Sequence, residues 1–169
     1  YDNTARLWDA ATGDSLKELK GHTEVVTCAK FSPDSLRIVT ASDDKSAGVW
    51  DLASGRLLAT LRPPVGPDQL GRLYGASISA DNRIAVAGTT AVPGGTHRIY
   101  LFDLRSHAFT RAFDARGGDV KRLAWSPDGR LLAAAYAGAP AVRVFDDKGG
   151  LVYEEKFSGD SYHVAFAPT

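Results

Sequence analysis

The sequence predicts an all-β chain made of stacked four-stranded antiparallel units, on three observations. The phrase DNTARLWD at Asp2–Asp9 returns as DKSAGVWD at Asp44–Asp51, with looser echoes ending at Phe102-Asp103 and Phe145-Asp146. The aspartates Asp9, Asp51, Asp103 and Asp146 lie 42, 52 and 43 residues apart, a period in the range of stacked supersecondary units. Short runs of β-branched, apolar and aromatic residues alternate with turn signals, and no window keeps a 3.6-residue apolar period for three turns. A unit of this size cannot bury its apolar faces alone and must stack on neighbours. Function is then expected on loops and rims rather than in a single catalytic pocket.

The elements follow in order. The opening residues supply the last two strands of one unit, and three whole units and the first strand of another come after. Each unit opens with an apolar run and a turn: VVTCAKF–SPDS, LYGASI–SADN, VKRLAW–SPDG and YHVAF–APT. Ser-Pro-Asp-Gly favours a tight hairpin, because Pro fixes φ, Asp bonds its own backbone and Gly accepts φ > 0. Second strands read LRIVTAS, RIAVAGT and RLLAAAY; third strands, SAGVWD, HRIYLFD and AVRVFD, end in the aromatic-Asp pair. A Gly- or Ser-bearing turn leads to fourth strands RLLATL, AFTRAF and LVYEEKF. The long middle interval has two causes: a Pro/Gly-rich connection at Arg62–Gly71 (RPPVGPDQLG) and a loop at Thr89–Thr96 (TTAVPGGT). Segments of this kind are domain junctions or binding loops.

Composition narrows the function classes. The 169 residues are 44% apolar, a globular value, and carry 20 basic and 20 acidic side chains for a formal charge of zero. A nucleic-acid-binding tail or membrane-surface patch would need a sustained basic excess, so neither partner is expected. No apolar stretch approaches the length that spans a bilayer. Cys28 is the single cysteine and sits in an apolar run, where it reads as a buried, inert thiol. Nothing requires an oxidising compartment, and a cytoplasmic location is expected. The chain contains no Met and stops in mid-phrase at Phe166-Ala167-Pro168-Thr169, which reads as an excerpt of a longer polypeptide.

Gly21-His22, Phe31-Ser32-Pro33-Asp34, Ser42, Asp44 and Trp50-Asp51 together, at their spacing, resemble the WD-repeat family of β-propellers. Any one piece alone is weak; the joint occurrence is specific. The match is strongest over Asp2–Leu61 and weaker over Leu73–Phe157. The resemblance implies a β-propeller fragment of radial four-stranded blades, three whole and one partial at each end. It also implies that His22, Ser42, Asp44 and Trp50 form a structural hydrogen-bond network, with indole N–H, hydroxyl, imidazole and carboxylate in series. A buried Trp and His bring polar atoms inside that need partners in any case. The first, partial blade keeps only Asp2 and Trp8 of that set. Phe102 and Phe145 replace Trp in the later blades, and no Gly-His opens either one; those blades are expected to rely on apolar packing and ladder hydrogen bonds.

The style changes at Arg62. Residues 1–61 form consensus-like blades, 62–71 a possible seam between two propellers, and 72–169 divergent blades. That seam resembles large bacterial multi-domain WD-repeat proteins, some of which carry a caspase-like peptidase or a protein kinase.

Chemistry-bearing constellations are sparse. His22, Ser42 and Asp44 match a catalytic triad in type, but a nucleophilic Ser needs an exposed Oγ and oxyanion donors, and Ser42 lies in a strand. The histidines lack partners at zinc spacing, and the turn at Asp146–Gly150 is too short for a calcium loop. No catalytic residue, metal site or cofactor is expected. The candidate partner-binding residues are those of the two extended segments and their flanks: Pro63, Pro64, Asp68, Arg72, Pro93, His97 and Arg98. The expected function is a non-catalytic scaffold for protein–protein interaction, with further blades of the parent chain closing the ring. The alternative is a regulatory propeller of a bacterial effector enzyme whose catalytic domain lies elsewhere on the chain.

Overall fold

The computed structural model describes residues 2–64, 71–89, 97–137, 141–155 and 159–167. Its strands form one two-stranded and three four-stranded antiparallel sheets, with no helix among the described residues. The two-stranded sheet pairs β1 (Ala5–Trp8) with β2 (Ser15–Leu19). The first complete sheet is β3 (Val26–Phe31), β4 (Arg37–Ser42), β5 (Ala47–Asp51) and β6 (Leu57–Leu61). The second is β7 (Leu73–Ile78), β8 (Arg83–Gly88), β9 (Arg98–Asp103) and β10 (Phe109–Asp114). The third is β11 (Val120–Trp125), β12 (Leu131–Tyr136), β13 (Val142–Asp146) and β14 (Leu151–Glu155). In each, strands neighbour one another in chain order, the meander of a propeller blade.

Local chemistry sets the hairpins. After β3, the Ser32 hydroxyl donates to Asp34 Oδ1 at 2.5 Å and accepts the amide of Arg37 at 2.9 Å. Ser126 and Asp128 repeat this after β11 at 2.5 Å, and Gly129 takes the left-handed φ of 71° that the turn requires. The aspartate of each aromatic-Asp pair caps the following turn. Asp51 accepts the Ser54 amide at 2.7 Å, Asp103 that of Ser106 at 2.7 Å, and Asp146 that of Gly150 at 2.7 Å. The repeated Asp is therefore a turn-forming device.

The second strand of each sheet is buried on both faces: Ile38–Ser42, Ile84–Gly88 and Leu132–Tyr136. That explains their largely apolar runs with many alanines, since a strand covered on both faces leaves no solvated face. The core therefore lies between sheets. One cluster joins Val39, Ala41 and Val49 to Leu73, Ile84, Val86 and Phe102. Another joins Ala85, Ile99 and Leu101 to Leu123, Trp125, Leu132 and Phe145. Leu19 of the partial sheet packs with Ile38 and Trp50. The first of these clusters spans the connection at residues 62–71.

The first strands β3, β7 and β11 lie side by side on the inner edge. Thr27 donates to the Leu73 carbonyl at 2.6 Å, and Arg122 to the Tyr74 carbonyl at 2.8 Å. Gly75 permits the second approach, because a Cβ there would sit 3.1 Å from the Arg122 Cα.

Two expectations need correction. The apolar run Tyr162–Phe166 forms no strand; the nearby Ser161 amide donates to the Tyr136 carbonyl at 2.9 Å. A strand needs a ladder partner as well as a suitable sequence, and none of the described residues pairs with it. The third complete sheet also does not rely on apolar packing and ladder bonds alone. A buried Arg143 bonds Glu154 at 2.6 Å across β13 and β14.

Candidate functional site

Residues from the approach to β3, from β4 and β5 and from the turn between them build a polar chain inside the first complete sheet. Trp50, 1% exposed, donates its indole N–H to Thr40 Oγ1 at 2.8 Å. Thr40 Oγ1 lies 2.7 Å from His22 Nε2, and His22 Nδ1 lies 2.7 Å from Asp44 Oδ2. The carboxylate can only accept, so in the neutral ring Nδ1 carries the proton and Nε2 accepts from the Thr40 hydroxyl. Asp44 also accepts the Thr23 amide at 3.1 Å, the Ser46 amide at 2.9 Å and the Ser46 hydroxyl at 2.6 Å. Burial works against its charge, but the hydrogen bonds from Ser46, His22 and Thr23 outweigh it and hold the carboxyl below its ordinary range.

His22, Asp44 and Trp50 thus meet, and Ser42 stands outside their chain. Its hydroxyl donates to the Glu24 carbonyl and accepts the Asp44 amide, each at 3.1 Å. Register is the reason. Trp50 lies opposite Ile38, so its ring reaches diagonally to Thr40 and falls a further two residues short of Ser42. Gly48 makes room: a Cβ there would sit 2.6 Å from the indole nitrogen and 2.9 Å from Thr40 Oγ1. No nucleophile is presented, because the Ser42 side chain is fully buried.

The loop candidates scatter. Asp68 and Pro93 lie outside the described residues. Pro63 is buried and so is withdrawn from any surface, whereas Pro64, Arg72 and Arg98 are exposed. His97 Nδ1 lies 3.5 Å from the Asp119 carboxylate without forming a hydrogen bond.

A different place gathers chemistry. The ladders slip once in each inner strand, between Val26 and Cys28, Leu73 and Gly75, and Val120 and Arg122. The unpaired residues Thr27, Tyr74 and Lys121 therefore occupy one level of the repeat, where a bulge re-aims a side chain. All three line a hollow of about 570 Å³, with Val25, Val26, Asp43, Arg122 and Tyr162. The Lys121 ammonium sits 4.1 Å from the centre of the Tyr74 ring and 3.4 Å from the Asp119 carboxylate. Arg122 is anchored on the Tyr74 and Lys121 carbonyls, both at 2.8 Å. Asp43 keeps one buried carboxylate oxygen without a partner, and its other lies 4.0 Å from Arg72. The hollow thus gathers an aromatic ring, two cations and a carboxylate. Among the described residues, no three His, Cys, Asp or Glu side chains converge as metal ligands.

Family comparison meets this architecture directly. The WD domain, G-beta repeat model matches residues 13–51 and 108–146, each ending at the aromatic-Asp pair of a sheet. The chain belongs to the WD-repeat family. Among its relatives, the U3 small nucleolar RNA-associated protein 15 homolog of Xenopus laevis is 29% identical over 88% of the chain. Apoptotic protease-activating factor 1 of Rattus norvegicus is 27% identical over 76%, and the guanine nucleotide-binding protein subunit beta of Arabidopsis thaliana 34% over 52%. The chain spans 27%, 10% and 23% of these relatives' own lengths, respectively.

Sequence reasoning missed Thr40, Ser46 and Gly48 in the network and Thr27, Tyr74 and Lys121 in the hollow. A signal for the hollow was present. Setting VVTCAKF, RLYGASI and DVKRLAW in register shows one column holding Thr, Tyr and Lys just after a column that stays apolar, Val26, Leu73 and Val120.

Proposed function

We propose that this WD-repeat chain is a non-catalytic scaffold that docks a protein partner at the hollow of its inner strands. The observation that carries the reading is the bulge-set trio Thr27, Tyr74 and Lys121, brought into one hollow with Asp43. Cations, an aromatic face and a carboxylate gathered in one hollow suit the mixed polar and apolar groups of a protein surface. Stacked sheets with shared cores hold the hollow rigid, which limits the ordering cost of binding. The balanced overall charge favours a protein over nucleic acid or a membrane, although one relative is named for association with a small nucleolar RNA. Another relative is named for protease activation, which supports the second reading, a regulatory propeller in a larger effector protein.

The test is site-specific photo-crosslinking in the full-length protein. A crosslinking phenylalanine analogue is placed at Tyr74, or as a control at Leu58 on the exposed outer strand β6. Docking at the hollow gives a discrete adduct from Tyr74 that is lost on Lys121→Glu and absent from Leu58. Equal adducts from both positions, or a Tyr74 adduct indifferent to Lys121→Glu, would refute it.

A further inference from the structure

Arg143 occupies in β13 the place that Gly48 occupies in β5. Gly48 lies opposite Thr40, and Arg143 opposite the corresponding Ala134. A glycine slot that admits an indole in one sheet thus carries a buried guanidinium in another. Such a charge must be paired to be tolerated. Arg143 Nε donates to Glu154 at 2.6 Å, directly across the ladder to β14. One terminal nitrogen reaches the Ala115 carbonyl at 3.3 Å, and the Tyr136 hydroxyl donates to that same oxygen at 2.5 Å. Both lone pairs of one carbonyl are therefore committed. The Ala115 amide in turn donates to the His97 carbonyl at 2.8 Å. Gly117 lets the chain pass over this group, because a Cβ there would lie 2.7 Å from the guanidinium and 3.0 Å from the Tyr136 ring.

The segment held in this way leads, within a few residues, to Asp119, Lys121 and Arg122 at the hollow. We propose that Arg143, with Tyr136 and Glu154, is a lock that fixes the backbone at 115–119 and so positions Lys121 at the hollow. The tether itself is independent of what the hollow does; only its consequence for docking rests on the reading above. In the first complete sheet, the Trp50–Thr40–His22–Asp44 chain holds the corresponding segment at 21–24. The two sheets thus perform one task with different chemistry, and the Arg143 lock also ties in the outer strand.

Hydrogen exchange read by mass spectrometry on the full-length protein tests this. Arg143→Met and Tyr136→Phe are expected to speed exchange of the amides of residues 115–122 about tenfold, with residues 21–26 unchanged. Thr40→Val should give the mirror image. Acceleration spread evenly over all three sheets, or none at 115–122, would overturn the lock. If Arg143→Met fails to fold, Tyr136→Phe decides, since it removes one hydroxyl from a ring that stays packed. Crosslinking from Tyr74 in the Tyr136→Phe protein then reads the effect on docking. A wild-type protein that captures nothing there defeats the docking reading and leaves the exchange result standing.

Discussion

Thr40 holds two polar groups in line, and its removal exposes how much each one needs a partner. Thr40→Val keeps the shape but strands the indole N–H of Trp50 and one nitrogen of His22, both buried. The expected loss is about 1–3 kcal/mol, measured by denaturant unfolding of the full-length protein; a loss under about 0.3 kcal/mol would remove Thr40 from the network. Ser42→Ala also breaks two bonds, but to backbone groups beside the turn, and should cost less than Thr40→Val. Asp44 adds a pH dependence of definite sign. Its carboxyl is held below its ordinary range in the folded state. Its stabilisation is thus complete above the unfolded value of about 3.9 and lost as pH falls through the lower folded value. The stability gap between wild type and Asp44→Asn should be constant from neutral pH to about 5 and narrow below about 4. A gap that stays constant down to pH 2 would contradict this account.

At the scale of strands and hairpins, the sequence was most legible where a local rule sufficed. The Ser-Pro-Asp turns, the Asp caps and the meander order follow from short-range chemistry that each repeat carries within itself. Ser42 shows where such rules end. The residue types of the network could be listed from the sequence, but which hydroxyl lies under the indole depends on β4–β5 register, and Thr40 and Ser42 share one face of the strand. The inner-strand bulges were hard to see for a related reason: a one-residue slip leaves no mark within a single repeat and shows only as the Thr27, Tyr74 and Lys121 column when the repeats are set in register. Tyr162–Phe166 failed in the opposite way, with a strand-like sequence and no ladder partner among the described residues. The close approach of β7 and β11 gives a prediction at this scale. Gly75→Ala places a methyl group 3.1 Å from the Arg122 backbone, which cannot rotate away. It should cost about 1–3 kcal/mol by overpacking and weaken any crosslink from Tyr74. Unchanged stability would mean that the two strands part freely.

For the molecule as a whole, the decisive fact is that the cores lie between sheets. The cluster shared across residues 62–71 predicts that sheets on both sides of that connection unfold together, in one transition by fluorescence and by hydrogen exchange. Two separated transitions, with the boundary at that connection, would instead mark a seam between independent propellers.

The slot opposite the fourth residue of each second strand holds Gly48, Tyr100 and Arg143 in turn. Each side chain is fitted to what its own sheet and the adjoining segment leave open. Although the repeats look like copies in the sequence, they are not interchangeable cassettes. Duplicating β3–β6 into the place of β7–β10 would set Gly48 and the overlying Trp50 indole where the Tyr100 ring now packs. Each joint between sheets is therefore cut to its own pair, and a repeat moved along the chain would meet a neighbour it was not shaped for.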